Sequence, residues 1–259
     1  MITDFEMRRA APSIFADAPA PTVSERYTYI STFPIVDQVR SMGMVPVQAR
    51  EGRKKAPDGR QYALHEIRFS PPGDSWAMRT RALGALTPQI IVRNSHDRTS
   101  GLTVSAGLYR LVCLNGLTVA DQEYRLRVRH VGRAGEGVRE GVAENMDRFG
   151  RIIDTAQYWS SVHLTRDQQR TFAQKALELR GTSLAVDAQD VIRARRTADQ
   201  GDDLWRVFNR AQENLTNGYM VGRTQQNRMR YLNRITSLRS DMDLNNGLWQ
   251  LATDTAKGM

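Results

Sequence analysis

Residues 89–130 read QIIVRNSHDRTSGLTVSAGLYRLVCLNGLTVADQEYRLRVRH, and this stretch decides the fold class. Residues 89–93 are apolar and β-branched, which predicts a buried strand. Residues 94–101 are nearly all turn formers, and a second strand at 102–106 returns from them. Leu108, Leu111 and Val112 stand at helical spacing, yet Leu111 to Leu114 suit a strand equally, so periodicity alone leaves this segment open. Asn115-Gly116 fits a tight hairpin turn or a helix C-cap. Tyr124, Leu126, Val128 and His130 then alternate with Arg125, Arg127 and Arg129. That period of two predicts a strand with one core face and one face of guanidinium groups.

The segments before this stretch extend the β-rich reading. Pro12, Pro19 and Pro21 argue against one continuous helix in residues 1–25, which read as a loose arm able to dock through Ile14 and Phe15. Pro34 opens a helix over 35–42 that Gly43 stops. Residues 44–49 read as a strand, and Pro46 places it at a sheet edge because proline has no N–H for the ladder. Residues 62–69 form the next strand, with Glu66 and Arg68 on one face and His65, Ile67 and Phe69 on the other. The connection between them, EGRKKAPDGR, carries Arg53, Lys54, Lys55 and Arg60 around a Pro-Asp-Gly turn signal.

After the glycine-rich residues 132–137 the apolar period becomes helical. Val138, Val142, Met146, Phe149, Ile152, Ile153 and Ala156 predict one helix to about Val162, with Gly150 inside it. Thr165 followed by Gln168 is a capping-box signature for a helix to about Arg180. Further helices are expected over 187–196, 202–217 and 241–253. Residues 219–240 hold Arg223, Arg228, Arg230, Arg234 and Arg239 with no acidic residue among them.

The expected fold is therefore α+β. An N-terminal antiparallel β-rich half, built of hairpins in a curved sheet and packed with a long helix, precedes a C-terminal α-helical half. Residues 1–25 are the arm, 26–131 the β-rich core and 132–259 an α-helical part forming one compact unit with the core.

Composition narrows the function classes. The chain has 259 residues, 40% hydrophobic and 25% charged, which suits a folded core. Its net charge of +9 favours an acidic partner, nucleic acid before an anionic membrane. Cys113 is the only cysteine, so neither an intrachain disulfide nor a cysteine-rich zinc site is expected. No apolar run reaches membrane-spanning length, and a secretory signal is not apparent. A reducing, cytoplasmic setting fits these features.

Catalytic signatures are sparse. His65, His96, His130 and His163 lie far apart and in no metal-ligand spacing, so neither cofactor nor metal is expected. Asn94-Ser95-His96-Asp97 reads first as turn chemistry. Cys113 sits among apolar neighbours and reads as an inert core thiol. What remains is basic surface. Arg125, Arg127 and Arg129 recur at about 7 Å along one strand face, near the nucleotide step of an extended strand. The plainer reading has these arginines paired with carboxylates on a neighbouring helix, and the charge excess tips the balance toward binding.

Several segments together resemble a known family. They are Ala11-Pro12-Ser13-Ile14-Phe15-Ala16, Ser24-Glu25-Arg26-Tyr27, Gly43-Met44-Val45-Pro46-Val47, His65-Glu66-Ile67-Arg68-Phe69, Asn94-Ser95-His96-Asp97 and the run Tyr109 to Leu117. Trp205 to Asn214 and Leu244 to Trp249 extend the likeness almost to the end of the chain. The sequence resembles the phage- and plasmid-associated proteins that carry the domain of unknown function 932, DUF932. That family typically has Cys-Ser-Asn-Gly where this chain has Cys113-Leu114-Asn115-Gly116. The resemblance implies a mobile-element, intracellular setting and transfers no catalytic residues.

The expected function is nucleic-acid binding, with single-stranded DNA in replication or recombination first. The residues expected to carry it are Arg53, Lys54, Lys55, Arg60, Arg125, Arg127, Arg129, Arg223, Arg228 and Arg230. One alternative is a metal-dependent nuclease using His96 and Asp97. The other is a non-enzymatic host-takeover factor that binds a protein through an apolar patch around Trp205 or Trp249. A homo-oligomer is compatible with the sequence.

Overall fold

The computed structural model describes residues 1–25, 27–52, 61–110, 115–118, 125–127 and 134–259. These fall into two compact units. The first comprises Met1–Trp76, Thr87–Tyr109 and Gln122–Phe149, and the second Ala77–Leu86, Arg110–Asp121 and Gly150–Met259. The α+β class expected from the sequence is the one observed.

The first unit is built on an antiparallel sheet in the order β1 (Val45–Glu51), β2 (His65–Ser70), β3 (Leu86–Asn94), β4 (Thr103–Arg110), with β6 (Arg125–Arg127) also paired to β4. Pro46 lies on the edge strand β1, as its missing donor requires, and the ladder slips between Pro46 and Gln48. In β2 every residue is buried, so the sheet is covered on both faces. His65, Ile67 and Phe69 share one face with Asn94, Val92 and Ile90 of β3, while Glu66 and Arg68 share the other with Arg93 and Ile91.

Residues 1–25 fold onto this unit. Thr3 and Glu6 close a capping box on α1 (Asp4–Ala10), and a 3-10 turn follows at Pro12–Phe15. Met7, Ala11 and Ile14 are fully buried. Ile2 donates to the Pro46 carbonyl, Ser13 to the Glu51 carboxylate and Ala20 to the His96 carbonyl. Helix α2 (Phe33–Ser41) starts on Pro34 and buries Ile35, Val36 and Val39, packing near α4 (Ala134–Asp147), and the short α3 (Ser75–Arg79) follows β2.

The second unit is mostly helical: α5 (Phe149–Ser161), α6 (Arg166–Arg180), α7 (Ala188–Val191), α8 (Leu204–Asn217) and α9 (Leu238–Lys257). The capping box at Thr165 and Gln168 is formed. Helix α8 runs from the Asp203 cap to Gly218 in the left-handed conformation, with nearly all its residues buried. Trp159, Trp205, Phe208 and Trp249 interlock in the core, with ring centroids 4.5 Å apart for Trp159 and Trp249. Burying such rings is the main apolar contribution here. A small antiparallel sheet joins β7 (Ala185–Val186), β8 (Val221–Arg223) and β9 (Met229–Tyr231).

Four local expectations are corrected. Helix α4 begins inside the glycine-rich run, at Ala134. The single helix expected to Val162 is interrupted at Arg148, where buried Phe149 opens α5 beside Gly150, a poor helix former. Asn115-Gly116 is not a turn but the start of strand β5 (Asn115–Thr118), because a two-residue turn signal yields to its wider setting. The helix expected over 187–196 stops at Val191, because the arginines beyond it bond to α8 instead of continuing the helix.

Candidate nucleic-acid interface

Residues 219–240 contain no acidic side chain, and in the second unit they fold as the β8–β9 hairpin, an irregular exit and the first turn of α9. The turn is closed by backbone bonds between Thr224 and Arg228 and from Asn227 to Thr224, with Asn227 at φ +58°. Asparagine tolerates that left-handed geometry better than most residues.

The base of the hairpin is anchored tightly. Leu232 donates to the Met220 carbonyl and Ile235 to the Thr216 carbonyl. Arg180 donates to the carbonyls of Leu215 and Asn233, and burial lowers its pKa below the usual guanidinium value. A side chain at Gly222 would meet Leu184 and Val186 of the adjoining strand at 2.8 Å, so only glycine fits that approach.

Beyond this base, Arg223, Arg228, Arg230 and Arg234 are exposed. Arg223 donates to Asn227 Oδ1, and among the described residues no carboxylate pairs with any of the four. Cations clustered without counter-charges create a local positive potential, the field that attracts a polyanion. Tyr231, Met229 and Tyr219 are exposed beside them.

The other arginines near this region do different work. Arg193 pairs with Asp190, Arg195 donates to Asn214 and Arg196 to Glu213. Arg110 reaches Asp199 at 2.6 Å, and Asp199 in turn lies 3.5 Å from Arg196. This chain of ion pairs is mostly buried and ties α8 to the segments around it.

The remaining predicted residues stand as follows. Arg53, Lys54, Lys55, Arg60 and Arg129 lie outside the described residues, as does Cys113. Arg125 and Arg127 are placed by backbone, opposite Ser105 and Thr103 of β4.

The nuclease arrangement does not assemble. His96 is buried, its ring between Tyr29 and His65. Asp97 accepts from the backbone N–H and hydroxyl of Thr99, as an Asx turn does. Among the described residues no group of three or more His, Cys, Asp or Glu side chains is placed to hold a metal ion. Trp205 and Trp249 are buried, so neither ring is offered to a partner.

Two buried polar groups fasten the first unit, and the one around Glu66 escaped the sequence reading. The Glu66 carboxylate receives Arg68 at 2.8 Å, Arg93 at 2.6 Å and Arg50 at 2.7 Å. Burial resists its charge, but the guanidiniums of Arg68, Arg93 and Arg50 outweigh that and hold its pKa well below the carboxylate range. On the opposite sheet face, His65 Nε2 lies 2.8 Å from the Thr32 hydroxyl and Nδ1 lies 2.9 Å from the Ala63 carbonyl. Asn94 donates to Thr32 and to the Ile30 carbonyl. Both groups are sealed inside the unit and act as fasteners.

The model of the family described as domain of unknown function DUF932 matches residues 20–239. The chain belongs to the DUF932 family. Two relatives from Escherichia coli (strain K12) are similar over 253 residues, covering 97% of this chain and 90% of each relative. They are the UPF0380 protein YafZ, 32% identical, and the UPF0380 protein YfjQ, 31% identical. No solved structure matches. The DUF932 match spans the sheet, helix α8 and the basic hairpin together. No helix among the described residues is long and apolar enough to cross a membrane.

Proposed function

We propose that this DUF932 protein binds nucleic acid through the phosphate backbone, with single-stranded DNA as the favoured form, in replication or recombination of a phage, prophage or plasmid. One observation carries the reading. The β8–β9 hairpin holds Arg223, Arg228 and Arg230 in solvent on an anchored base, and no carboxylate among the described residues pairs with them. Guanidinium groups match phosphate geometry, and each phosphate neutralised releases counterions, which drives association at low salt. The net charge of +9 supports the same partner. Arg53, Lys54, Lys55, Arg60, Arg125, Arg127 and Arg129 join the proposal on charge alone.

The test is fluorescence anisotropy with a labelled oligonucleotide across a salt series. The expected logarithmic salt slope is about −0.7 for each phosphate contacted on a single strand. Replacing Arg223, Arg228 and Arg230 by Gln is expected to weaken binding and flatten the slope by about 2. Absence of binding at low salt, or binding that salt leaves unchanged, would refute the proposal.

A further inference from the structure

The outward face of the small sheet carries more than charge. In the ladder, Val221 stands opposite Tyr231, Arg223 opposite Met229, and Ala185 opposite Arg223. Cross-strand partners project to the same side, and so do residues two apart on one strand. Val221, Arg223, Met229 and Tyr231 therefore share one face. The other face carries Gly222, where Leu184 and Val186 leave no room for a side chain, and its cross-strand partner Arg230.

The shared face is open. Tyr231 is 78% exposed and Met229 58%. Large apolar side chains this accessible gain little from folding, so their placement beside arginines points to a ligand with both flat apolar surface and negative charge. Tyr219 offers a contrast, because the Arg195 guanidinium already covers its ring at 5.3 Å from the centroid.

We infer that this face is a base-stacking platform for an unpaired strand of DNA. The inference rests on the nucleic-acid reading above and adds the strandedness and the residue that sets it. The Tyr231 ring takes the flat face of a base, Met229 and Val221 extend the apolar floor, and Arg223 on the same face meets a flanking phosphate. Every base has a π-face, so such a platform is tolerant of sequence.

Two features favour an unpaired strand over a duplex. In a duplex the flat faces of the bases are covered by their neighbours, and only edges are offered in the grooves. Met229 and Tyr231 are separated by about 7 Å along the strand, roughly twice the 3.4 Å rise of stacked bases. Bases seated on both positions must be pulled apart, which an extended single strand allows and a duplex resists.

The experiment uses the full chain and labelled oligothymidylate of about 20 nucleotides, a duplex of the same length and the matching oligouridylate. Tyr231→Ala is expected to weaken oligothymidylate binding about tenfold while leaving the salt slope unchanged, and Tyr231→Phe to retain binding. Wild type is expected to favour oligothymidylate over the duplex. Equal binding of both forms, with Tyr231→Ala indistinguishable from wild type, overturns the platform. If the arginine variant still loses binding in that case, the nucleic-acid reading survives alone. Failure of wild type to bind any of the three polymers overturns both. Tighter binding of oligouridylate overturns the choice of DNA. Sedimentation showing a dimer that Tyr231→Ala dissolves would assign the face to a second copy of the chain and overturn the platform. Circular dichroism of each variant, expected to match wild type at this exposed position, keeps folding out of the comparison.

Discussion

Gly218 and Leu232 approach so closely that a Cβ on Gly218 would stand 2.2 Å from the Leu232 carbonyl oxygen. Gly218 also has φ +71°, where a side chain is strained. One glycine thus ends α8 and seats the base of the basic hairpin.

Gly218→Ala is accordingly expected to destabilise the protein by more than the about 1–3 kcal/mol of its backbone conformation alone. Gly181→Ala is the control, since Gly181 has φ +61° but open space around it. In urea unfolding Gly218→Ala should cost clearly more than Gly181→Ala. It should also weaken oligonucleotide binding although every arginine is intact. Equal costs for the two variants would mean the hairpin base yields freely.

Glu66 makes the second prediction. It is the carboxylate on which Arg68, Arg93 and Arg50 converge, and it is wholly buried. Glu66→Gln leaves buried guanidinium charge behind and should cost about 3–5 kcal/mol in urea unfolding. Glu144→Gln removes an exposed pair with Arg148 and should cost about 0.5 kcal/mol or less. The folded pKa of Glu66 is depressed, so its stabilisation is complete above the unfolded value of about 4.3 and is lost as pH falls toward the folded one. A Glu66→Gln cost as small as that of Glu144→Gln would refute the assignment.

Much of this fold was legible because it is written in short-range chemistry. Thr165 and Gln168 announce a cap three residues apart, Pro46 announces an edge, and Gly218 stops α8. The misses involve distant partners. Nothing near Arg195 or Arg196 reveals that Asn214 and Glu213 will draw them out of a helix. Glu66 and Arg68 alternate as a solvated strand face would, and only the pairing of β2 with β3 shows that Arg93 meets them in the interior. The hairpin itself was missed as an element because its turn, Thr224 to Asn227, has neither glycine nor proline. Its arginines were legible from charge, and their exposure was not.

The Thr165 cap gives a smaller effect. Its hydroxyl accepts from the Gln168 N–H, and the Thr165 backbone N–H donates to Gln168 Oε1. Thr165→Ala should cost about 1 kcal/mol, and Thr165→Ser little. A thermal melt resolves the difference. If Ala and Ser behave alike, the capping hydroxyl contributes nothing to α6.

His65 gives a pH dependence of definite sign. Burial, reinforced by the neighbouring His96, lowers its pKa from 6.5 to about 3, against a small opposing pull from the Ala63 carbonyl and Asp97. The imidazole is therefore neutral in the folded protein at neutral pH, held between the Thr32 hydroxyl and the Ala63 carbonyl. In the unfolded chain it takes up a proton near pH 6.5. Below that pH the unfolded state binds more protons, so stability is full above about 6.5 and falls as pH drops toward the folded value. The slope is about 1.4 kcal/mol for each pH unit from this residue. Urea midpoints measured from pH 7 to pH 5 should fall accordingly. His65→Gln should be less stable at pH 7, having lost the fit to Thr32, and should show a shallower decline by about one proton. An unchanged slope in that variant would place the acid sensitivity elsewhere in the molecule.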